Sequence, residues 1–235
     1  MEIQRIATVR SCFGDKFAVP RQPGLSPSAF GTLIFEEPFR SVECLRGIDG
    51  FSHLWLIFGF HKTLAEGWHP TVRPPRLGGN HRVGVFASRS TFRPNALGLS
   101  VVKLEGVDLT DPLMPVLRLG GLDLVDGTPI YDVKPYLNYA DVIEGSKSGY
   151  ASEPLSKLQV EIGPKASAGF SSLAERSQRV IREVLACDPR PAVRTDDSAR
   201  VFGAAICGME VKFTIHETTC VLRSVTPSAG SGLND

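Results

Sequence analysis

The apolar residues of the first 135 positions fall into short runs that glycine, proline and polar residues separate. Runs rich in Val, Ile, Phe and Leu and bounded by turn-forming residues are typical of β-strands. The most strongly apolar run is 51–61, which follows Gly50 and ends in polar residues. The pattern predicts seven strands in this part of the chain, at 6–9, 30–35, 51–61, 83–88, 97–107, 116–119 and 130–133.

The connections between these runs are rich in turn-forming residues. Residues 14–25 are predicted to form a loop, 41–48 a short helix, and 126–129 a turn. Residues 69–82 contain three prolines and two glycines and are predicted to lack regular structure. A loop of that length inside a compact domain is usually functional or disordered. Short strands with frequent turns favour a mainly β fold, a barrel or a sandwich, and of these we favour the barrel.

The pattern changes after Tyr150. Residues 146–156 are rich in Ser, Gly and Glu and are predicted to form a linker. Apolar residues at helical spacing predict a helix at 171–186, which ends before Asp188-Pro189. A hairpin of 202–206 and 211–215, a strand at 220–225 and a frayed tail at 228–235 follow. We therefore predict two domains, a β-barrel over 1–150 and a small α+β domain over 151–235.

Composition narrows the class of protein. The formal net charge is +1, so any affinity for nucleic acid must come from a local patch. The five cysteines are odd in number and none is spaced as CxxC, which argues against a disulfide framework and a zinc site; no metal is expected. No apolar stretch approaches the ~20 residues of a membrane span, and the N-terminus lacks the apolar core of a signal peptide. We expect a cytoplasmic protein.

One segment concentrates positive charge. No acidic residue lies between Glu66 and Glu105, whereas this segment contains five arginines, one lysine and two histidines. The planar fork of arginine matches phosphate and carboxylate geometry and stacks on bases. The alternative is a solvated basic loop with structural ion pairs.

Two further motifs carry dense polar chemistry. The first, Ser88-Arg-Ser-Thr-Phe-Arg-Pro-Asn-Ala-Leu-Gly, joins two predicted strands, where ligand contacts concentrate; its alternative is a turn that caps itself. The second, Leu122-Asp-Leu-Val-Asp-Gly-Thr-Pro-Ile-Tyr-Asp-Val-Lys-Pro-Tyr, holds three aspartates among apolar residues. Carboxylates there must be paired, hydrogen-bonded or part of a site. They either balance nearby arginines or hold a cationic ligand, accept ribose hydroxyls or take a proton.

Two histidines border the most apolar run. His53 lies inside it, where a satisfied core histidine is the more common role, although a catalytic one stays open. His61 and Lys62 lie at its end, where a binding role is more plausible. The chain lacks GxGxxG, a Walker A loop, HExxH and GxSxG, so the usual Rossmann route to a nucleotide cofactor is unsupported.

Five motifs in this order resemble the TsaA-like family of β-barrel methyltransferases. They are Pro20-Arg-Gln-Pro-Gly, Gly50-Phe-Ser-His-Leu-Trp, Arg73-Pro-Pro-Arg-Leu-Gly-Gly-Asn, Gly84-Val-Phe-Ala-Ser-Arg-Ser-Thr-Phe-Arg-Pro-Asn and Asp123-Leu-Val-Asp-Gly-Thr-Pro-Ile-Tyr-Asp-Val-Lys-Pro-Tyr. The resemblance is strong over residues 4–140 and weak beyond. It implies S-adenosylmethionine as methyl donor, a homodimer, and a tRNA that carries N6-threonylcarbamoyladenosine 3′ of its anticodon. The product would be the N6-methyl derivative.

The resemblance also implies a set of site residues. The donor would be held by Pro20, Arg21, Gln22, His61, Lys62, Arg89, Leu99, Leu122, Asp123, Leu124 and Val125. Arg73, Arg76 and Arg82 would hold anticodon-stem phosphates, with Lys134 and Tyr136 as further substrate contacts.

The reaction suggests which residues act on the acceptor. The N6 lone pair is delocalised, so a general base should remove its proton; Asp126 is the first candidate, and His53 or His61 the second. Arg93, with Asn95, is the candidate to bind the threonyl carboxylate.

Two rival functions remain open at this point. The same barrel could methylate a small molecule or another nucleoside. It could also be a non-catalytic RNA- or nucleotide-binding barrel. Turnover of free nucleosides would favour the first, and donor binding without turnover the second.

Overall fold

The computed structural model describes residues 2–190 and 200–228. Eight strands lie in its first 135 residues: β1 (Ala7–Ser11), β2 (Phe30–Phe35), β3 (His53–Gly59), β4 (Thr71–Val72), β5 (Val83–Gly84), β6 (Leu97–Asp108), β7 (Val116–Gly120) and β8 (Thr128–Pro135). Six of them close an antiparallel barrel in the order β1-β2-β7-β6-β3-β8. β4 and β5 form a separate two-stranded ladder.

The barrel forms because its strands alternate inward apolar and outward residues. In β3, Leu54, Leu56 and Phe58 are buried, whereas Trp55 and Ile57 are only partly buried. The register sets β3 between β6 and β8, with Gly59 opposite Leu97 and Phe58 opposite Ile130. The inward side chains of all six strands fill the barrel interior.

Antiparallel order places the ends of alternate strands together. β1 ends at Ser11, β3 at Gly59 and β7 at Gly120, beside the starts of β2, β6 and β8. We call this the upper end of the barrel. The connections 12–29, 60–96 and 121–127 leave from it.

The C-terminal part is a four-stranded sheet with two helices. After a short helix α1 (Asn138–Asp141) come β9 (Gln159–Ile162), α2 (Pro164–Ser171), α3 (Glu175–Ala186), β10 (Phe202–Ile206), β11 (Met209–His216) and β12 (Thr219–Pro227). The sheet order is β10-β11-β12-β9, with β9 parallel to β12. Its core is continuous with that of the barrel, and Phe17 from the connection 12–29 stacks between them, with ring centroids 6.2 Å from Phe202 and 6.4 Å from Phe213.

The mainly β barrel with an α+β C-terminal part is confirmed. Strand 30–35 matches β2, and the other predicted barrel strands lie within a few residues of the observed bounds, 83–88 excepted. The prediction of a strand at 83–88 was wrong beyond Gly84, since Val85–Ala87 is a 3-10 turn. Arg93 stabilises this turn by donating to the carbonyls of Val85 and Ser88.

Three other expectations need correction. The helix at 41–48 is a pair of 3-10 turns, Val42–Leu45 and Ile48–Gly50. The segment 69–82 does contain regular structure, since β4 pairs with β5. The helix at 171–186 is shorter, beginning at Glu175, and the separate helix α2 and strand β9 were missed. In the tail, residues 229–235 lie outside the described residues.

None of the helices in residues 2–190 and 200–228 is both long enough and apolar enough to cross a membrane.

Close packing at the upper end predicts a cost for adding one methyl group. A Cβ at Gly98 would lie 2.2 to 2.7 Å from three ring atoms of Phe58. We expect Gly98→Ala to lower the free energy of unfolding by about 1–3 kcal/mol, measured by denaturant titration. Gly50→Ala is the control, since nothing lies within 4 Å of its Cβ. Equal stability of the two variants would contradict this packing.

Candidate active site

A cavity of about 450 Å³ opens at the upper end of the barrel. Its walls come from the connection 12–29, the end of β3, the start of β6, the segment before β8, and the segment 89–92. The lining includes Pro20, Arg21, Gln22, Phe58, His61, Lys62, Arg89, Leu99, Ser100, Asp123, Leu124 and Val125. A mostly apolar cavity of this size with a few convergent polar groups is typical of a small-molecule site.

The carboxylate of Asp123 is the unusual group in this cavity. Its Oδ1 is buried and has no hydrogen-bond partner among the described residues. Burial raises the pKa of Asp123 to about 6, against smaller opposing effects of the Ser100 hydroxyl and the Arg89 charge. A buried carboxylate oxygen without a partner is costly, so the site suits a ligand that brings hydrogen-bond donors or a positive charge.

His61 lies in the same cavity. Burial lowers its pKa from 6.5, the neighbouring Lys62 lowers it further, and the Gly59 backbone and Asp126 oppose these effects. The imidazole is therefore mainly neutral near pH 7 and able to accept a proton. The turn at Gly127, which has φ +79°, lies next to the ring: a Cβ there would be 3.9 Å from His61 Nε2.

A larger, positively charged cleft of about 1370 Å³ adjoins this cavity. Its walls carry the cations Arg21, Arg73, Arg76, Arg82, Arg89 and Lys147, and no carboxylate among the described residues lines it. Arg82 donates to Thr71 Oγ1 at 3.0 Å, and Arg76 donates to the carbonyl of Glu153. Such a surface suits an extended polyanion.

The two spaces meet at five residues. Arg21, Gln22, Arg89, Thr91 and Phe92 line both of them. Arg89 donates to Gln22 Oε1, and Arg21 donates to the carbonyl of Arg190 at 2.7 Å. Ligands in the cavity and in the cleft would therefore meet beside Arg89 and Gln22. We call these five residues the junction.

The structure brings together most of the residues predicted to hold the donor. Ten of the eleven line the cavity; the exception, Leu122, is fully buried in the core. Arg73, Arg76 and Arg82 all line the cleft.

Asp126, Arg93, Asn95 and His53 were predicted to act on the acceptor, and none of the four lines either space. Asp126 accepts a hydrogen bond from the Ser11 backbone N–H at 2.9 Å, which ties β1 to the segment before β8. Arg93 is engaged with two backbone carbonyls, at 2.8 and 3.2 Å. Asn95 is exposed in the turn before β6. These placements favour structural roles for Asp126 and Arg93.

The remaining predicted residues lie at the opposite end of the barrel. His53 is at the start of β3, with its ring centroid 6.3 Å from that of Tyr136. Lys134, near the end of β8, pairs with Asp132 at 2.9 Å. Because β3 runs the length of the barrel between His53 and the cavity, His53, Lys134 and Tyr136 cannot contact that cavity within one chain.

Sequence reasoning missed several lining residues. Ser100 lies in β6 at a buried, inward position, and a polar residue at an inward position of an apolar strand is the signal that would have found it. Lys147 and Tyr150 fall in the predicted linker, and no local pattern connects them to the cleft.

In the part of the chain that the structure describes, no three His, Cys, Asp or Glu side chains are grouped so as to hold a metal ion.

The raised pKa of Asp123 predicts a pH-dependent stability. The folded state holds this proton more tightly than the unfolded chain, so stability falls as pH rises from about 4 through about 6. Asp123→Asn should therefore stabilise the ligand-free protein at pH 8, by about 1–3 kcal/mol, and lose this advantage near pH 4. Thermal unfolding of both proteins across this range measures the difference.

Asp126→Ala is the control for this experiment. It removes a hydrogen bond between a carboxylate and a backbone N–H, so it should destabilise the protein at pH 8. If Asp123→Asn is destabilising at pH 8 as well, both oxygens of the Asp123 carboxylate have partners within the folded protein. That result would contradict a role for Asp123 in binding a ligand.

Comparison with known proteins assigns the family. Residues 8–142 match the tRNA-methyltransferase O N-terminal domain, and residues 156–228 match the TrmO C-terminal domain. The Escherichia coli tRNA (adenine(37)-N6)-methyltransferase is 44% identical over 219 residues, 91% of this chain and 93% of that protein. A Pseudomonas aeruginosa protein, provisionally described as an S-adenosylmethionine-dependent methyltransferase, is 43% identical over 213 residues, 89% of this chain and 90% of that one. The crystal structure of TrmO from Pseudomonas aeruginosa superposes with a TM-score of 0.79 at 35% identity, covering 96% of this chain and 98% of that one. The chain therefore belongs to the tRNA-methyltransferase O family.

Proposed function

We propose that this protein is an S-adenosylmethionine-dependent methyltransferase that methylates N6 of the adenosine at position 37 of tRNA, in its threonylcarbamoylated form. The main support is the junction, where a cavity lined by Asp123, one of whose buried carboxylate oxygens has no hydrogen-bond partner, opens into a cleft lined by cations. A methyl donor in the first space and a polyanionic acceptor in the second would meet there. The family membership supplies the reaction class.

The donor cavity fits its proposed ligand. When bound, S-adenosylmethionine supplies a methyl group on a positively charged sulfur. Asp123 would hold the ammonium or the ribose hydroxyls, which would give its buried oxygen a hydrogen-bond partner. Leu99, Leu124 and Val125 provide apolar contacts. A carboxylate against the sulfur itself would stabilise the charged ground state more than the transition state, so Asp123 serves best away from it.

The cleft is the proposed tRNA site. Arg73, Arg76 and Arg82 hold phosphates of the anticodon stem, and binding therefore weakens steeply with salt. The modified base lies in a single-stranded loop, from which it can be splayed toward the junction at lower cost than from a duplex. The predicted homodimer and cytoplasmic location stay predictions.

His61 is the proposed general base. It lines the donor cavity and its lowered pKa keeps it neutral near pH 7, so it can take the proton that N6 loses. Asp126 supports it from outside the cavity by favouring the protonated imidazole once it forms. Of the three candidates for the general base, Asp126, His53 and His61, only His61 lines the donor cavity.

Arg89 is the proposed partner of the threonyl carboxylate. Arg93 was the first candidate, but its guanidinium is occupied by the carbonyls of Val85 and Ser88. Arg89 lies at the junction and is held by the side chain of Gln22. Its position suits an anionic group attached to the base that enters the junction.

The activity itself is tested by mass spectrometry of nucleosides. Threonylcarbamoylated tRNA incubated with the protein and S-adenosylmethionine should gain one methyl on that nucleoside, and only when the donor is present. Unmodified tRNA is the matched control and tests the threonylcarbamoyl requirement. Donor binding without any methyl transfer to either tRNA would contradict the proposed function.

The role of His61 is tested by its pH profile. Methylation by the wild-type protein should fall at pH values below the pKa of His61, because the imidazolium cannot accept a proton. His61→Asn should lower kcat by about 10²–10⁴-fold and abolish this acidic limb. His216→Asn, at the exposed end of β11, is the control. An unchanged acidic limb in His61→Asn would assign the base to another group.

A further inference from the structure

Phe86 is an aromatic side chain on the wall of the cationic cleft that points into solvent. Its side chain is 77% exposed, whereas its neighbour Val85 is 2% exposed and anchors the turn in the core. A large apolar ring held in water loses the stabilisation that burial would give. A single exposed ring on an ordinary surface needs no explanation, but this one lines the cleft proposed to bind RNA.

The turn that carries Phe86 is held by its own polar groups. Ser88 Oγ donates to the carbonyl of Val85 at 2.8 Å, and Arg93 donates to the carbonyls of Val85 and Ser88. The Arg93 guanidinium also lies over the Phe86 ring, 5.9 Å from its centroid. Arg93 therefore braces the backbone of the turn and lies beside the ring, which remains accessible from the cleft that it lines.

We propose that Phe86 is a stacking platform for an unpaired nucleobase of the RNA bound in the cleft, with Arg93 as its positioning residue. The inference rests on the proposed function and adds a contact that the arginines cannot supply. Phosphate contacts position the RNA but do not distinguish a loop from a duplex. An aromatic ring distinguishes them, because bases inside a duplex are stacked on both faces, whereas a splayed loop base offers a free face.

The surroundings favour a nucleobase over another apolar partner. The walls of the cleft that Phe86 lines include Arg82, Arg89 and Lys147, and no carboxylate among the described residues lines it. A protein segment docking here would need to be strongly acidic, whereas RNA supplies phosphates and bases together. A flat ring beside cations matches the repeating chemistry of single-stranded RNA.

The test compares Phe86→Ala with Phe86→Trp in binding an anticodon stem-loop RNA at several salt concentrations. Phe86→Ala should weaken binding by about ten-fold at every salt concentration, because no counterion is released by a neutral ring. Phe86→Trp should retain the affinity. Arg82→Ala, by contrast, should lower the slope of log affinity against log salt by about one. A long RNA duplex, whose bases are stacked on both faces except at the two ends, should depend far less on Phe86 than the stem-loop does.

Tyr139→Ala is the matched control, since Tyr139 is 88% exposed and lines neither space. S-Adenosylmethionine affinity measured on each variant checks that the donor cavity is intact. Equal binding of the stem-loop by Phe86→Ala and the wild-type protein would overturn the stacking role while leaving the proposed function standing. A change of oligomeric state in Phe86→Ala without loss of RNA affinity would assign the ring to contact between copies and also overturn it. Failure of the wild-type protein to bind tRNA would remove both proposals.

Discussion

Closure of the six-stranded barrel is the constraint on which the rest of the structure depends. Pairing of β1 with β8 closes the sheet, and a barrel of so few strands is filled by its own side chains. Leu33, Leu54, Leu56, Leu117 and Ile130 fill the interior with apolar side chains. The site must then lie at one end, and antiparallel order decides which segments meet there: the connections that follow β1, β3 and β7. This is why residues from positions 16 to 128 share one cavity.

The C-terminal part completes this end of the barrel. Glu183 on α3 accepts hydrogen bonds from both hydroxyls and one backbone N–H of Ser26 and Ser28, at 2.8 to 3.0 Å. Arg176 pairs bidentately with Glu105 and donates to the carbonyl of Ser28. The connection 12–29, which carries Arg21 and Gln22, is thereby held from outside the barrel. A loop rich in Pro and Gly has little structure of its own, so the geometry of the donor cavity depends on contacts far along the chain.

The strands were predictable from local pattern because the barrel needs alternation over short runs, as in β2 and β3. The 3-10 turn at Val85–Ala87 was not predictable in this way, because the side chain of Arg93, eight residues after Val85, stabilises that turn. The cavity residues followed from the family resemblance. The separate roles of these residues did not follow from it. Within one motif Arg89 lines both spaces while Arg93 binds backbone carbonyls, and sequence spacing does not distinguish the two. Likewise Asp123 and Asp126 are three residues apart, yet Asp123 lines the cavity with one oxygen unpartnered, whereas Asp126 accepts a hydrogen bond from the backbone of β1.

The difference between the residues bonded to the backbone and those that line the two spaces indicates that the site is less stable without its ligands than it could be. Asp126 and Arg93 form hydrogen bonds with the backbone and contribute to the fold, whereas Asp123 and Phe86 are in costly environments without a ligand: Asp123 has a buried oxygen without a hydrogen-bond partner, and the Phe86 ring is exposed to water. Asp126 follows Asp123 by three residues and Arg93 follows Phe86 by seven, and their hydrogen bonds to the backbone hold the segments that carry Asp123 and Phe86. Such preorganisation reduces the ordering cost when ligands bind. A loop that collapsed to bury Phe86 or to pair Asp123 would be more stable alone, and it would close the route by which donor and acceptor meet at the junction.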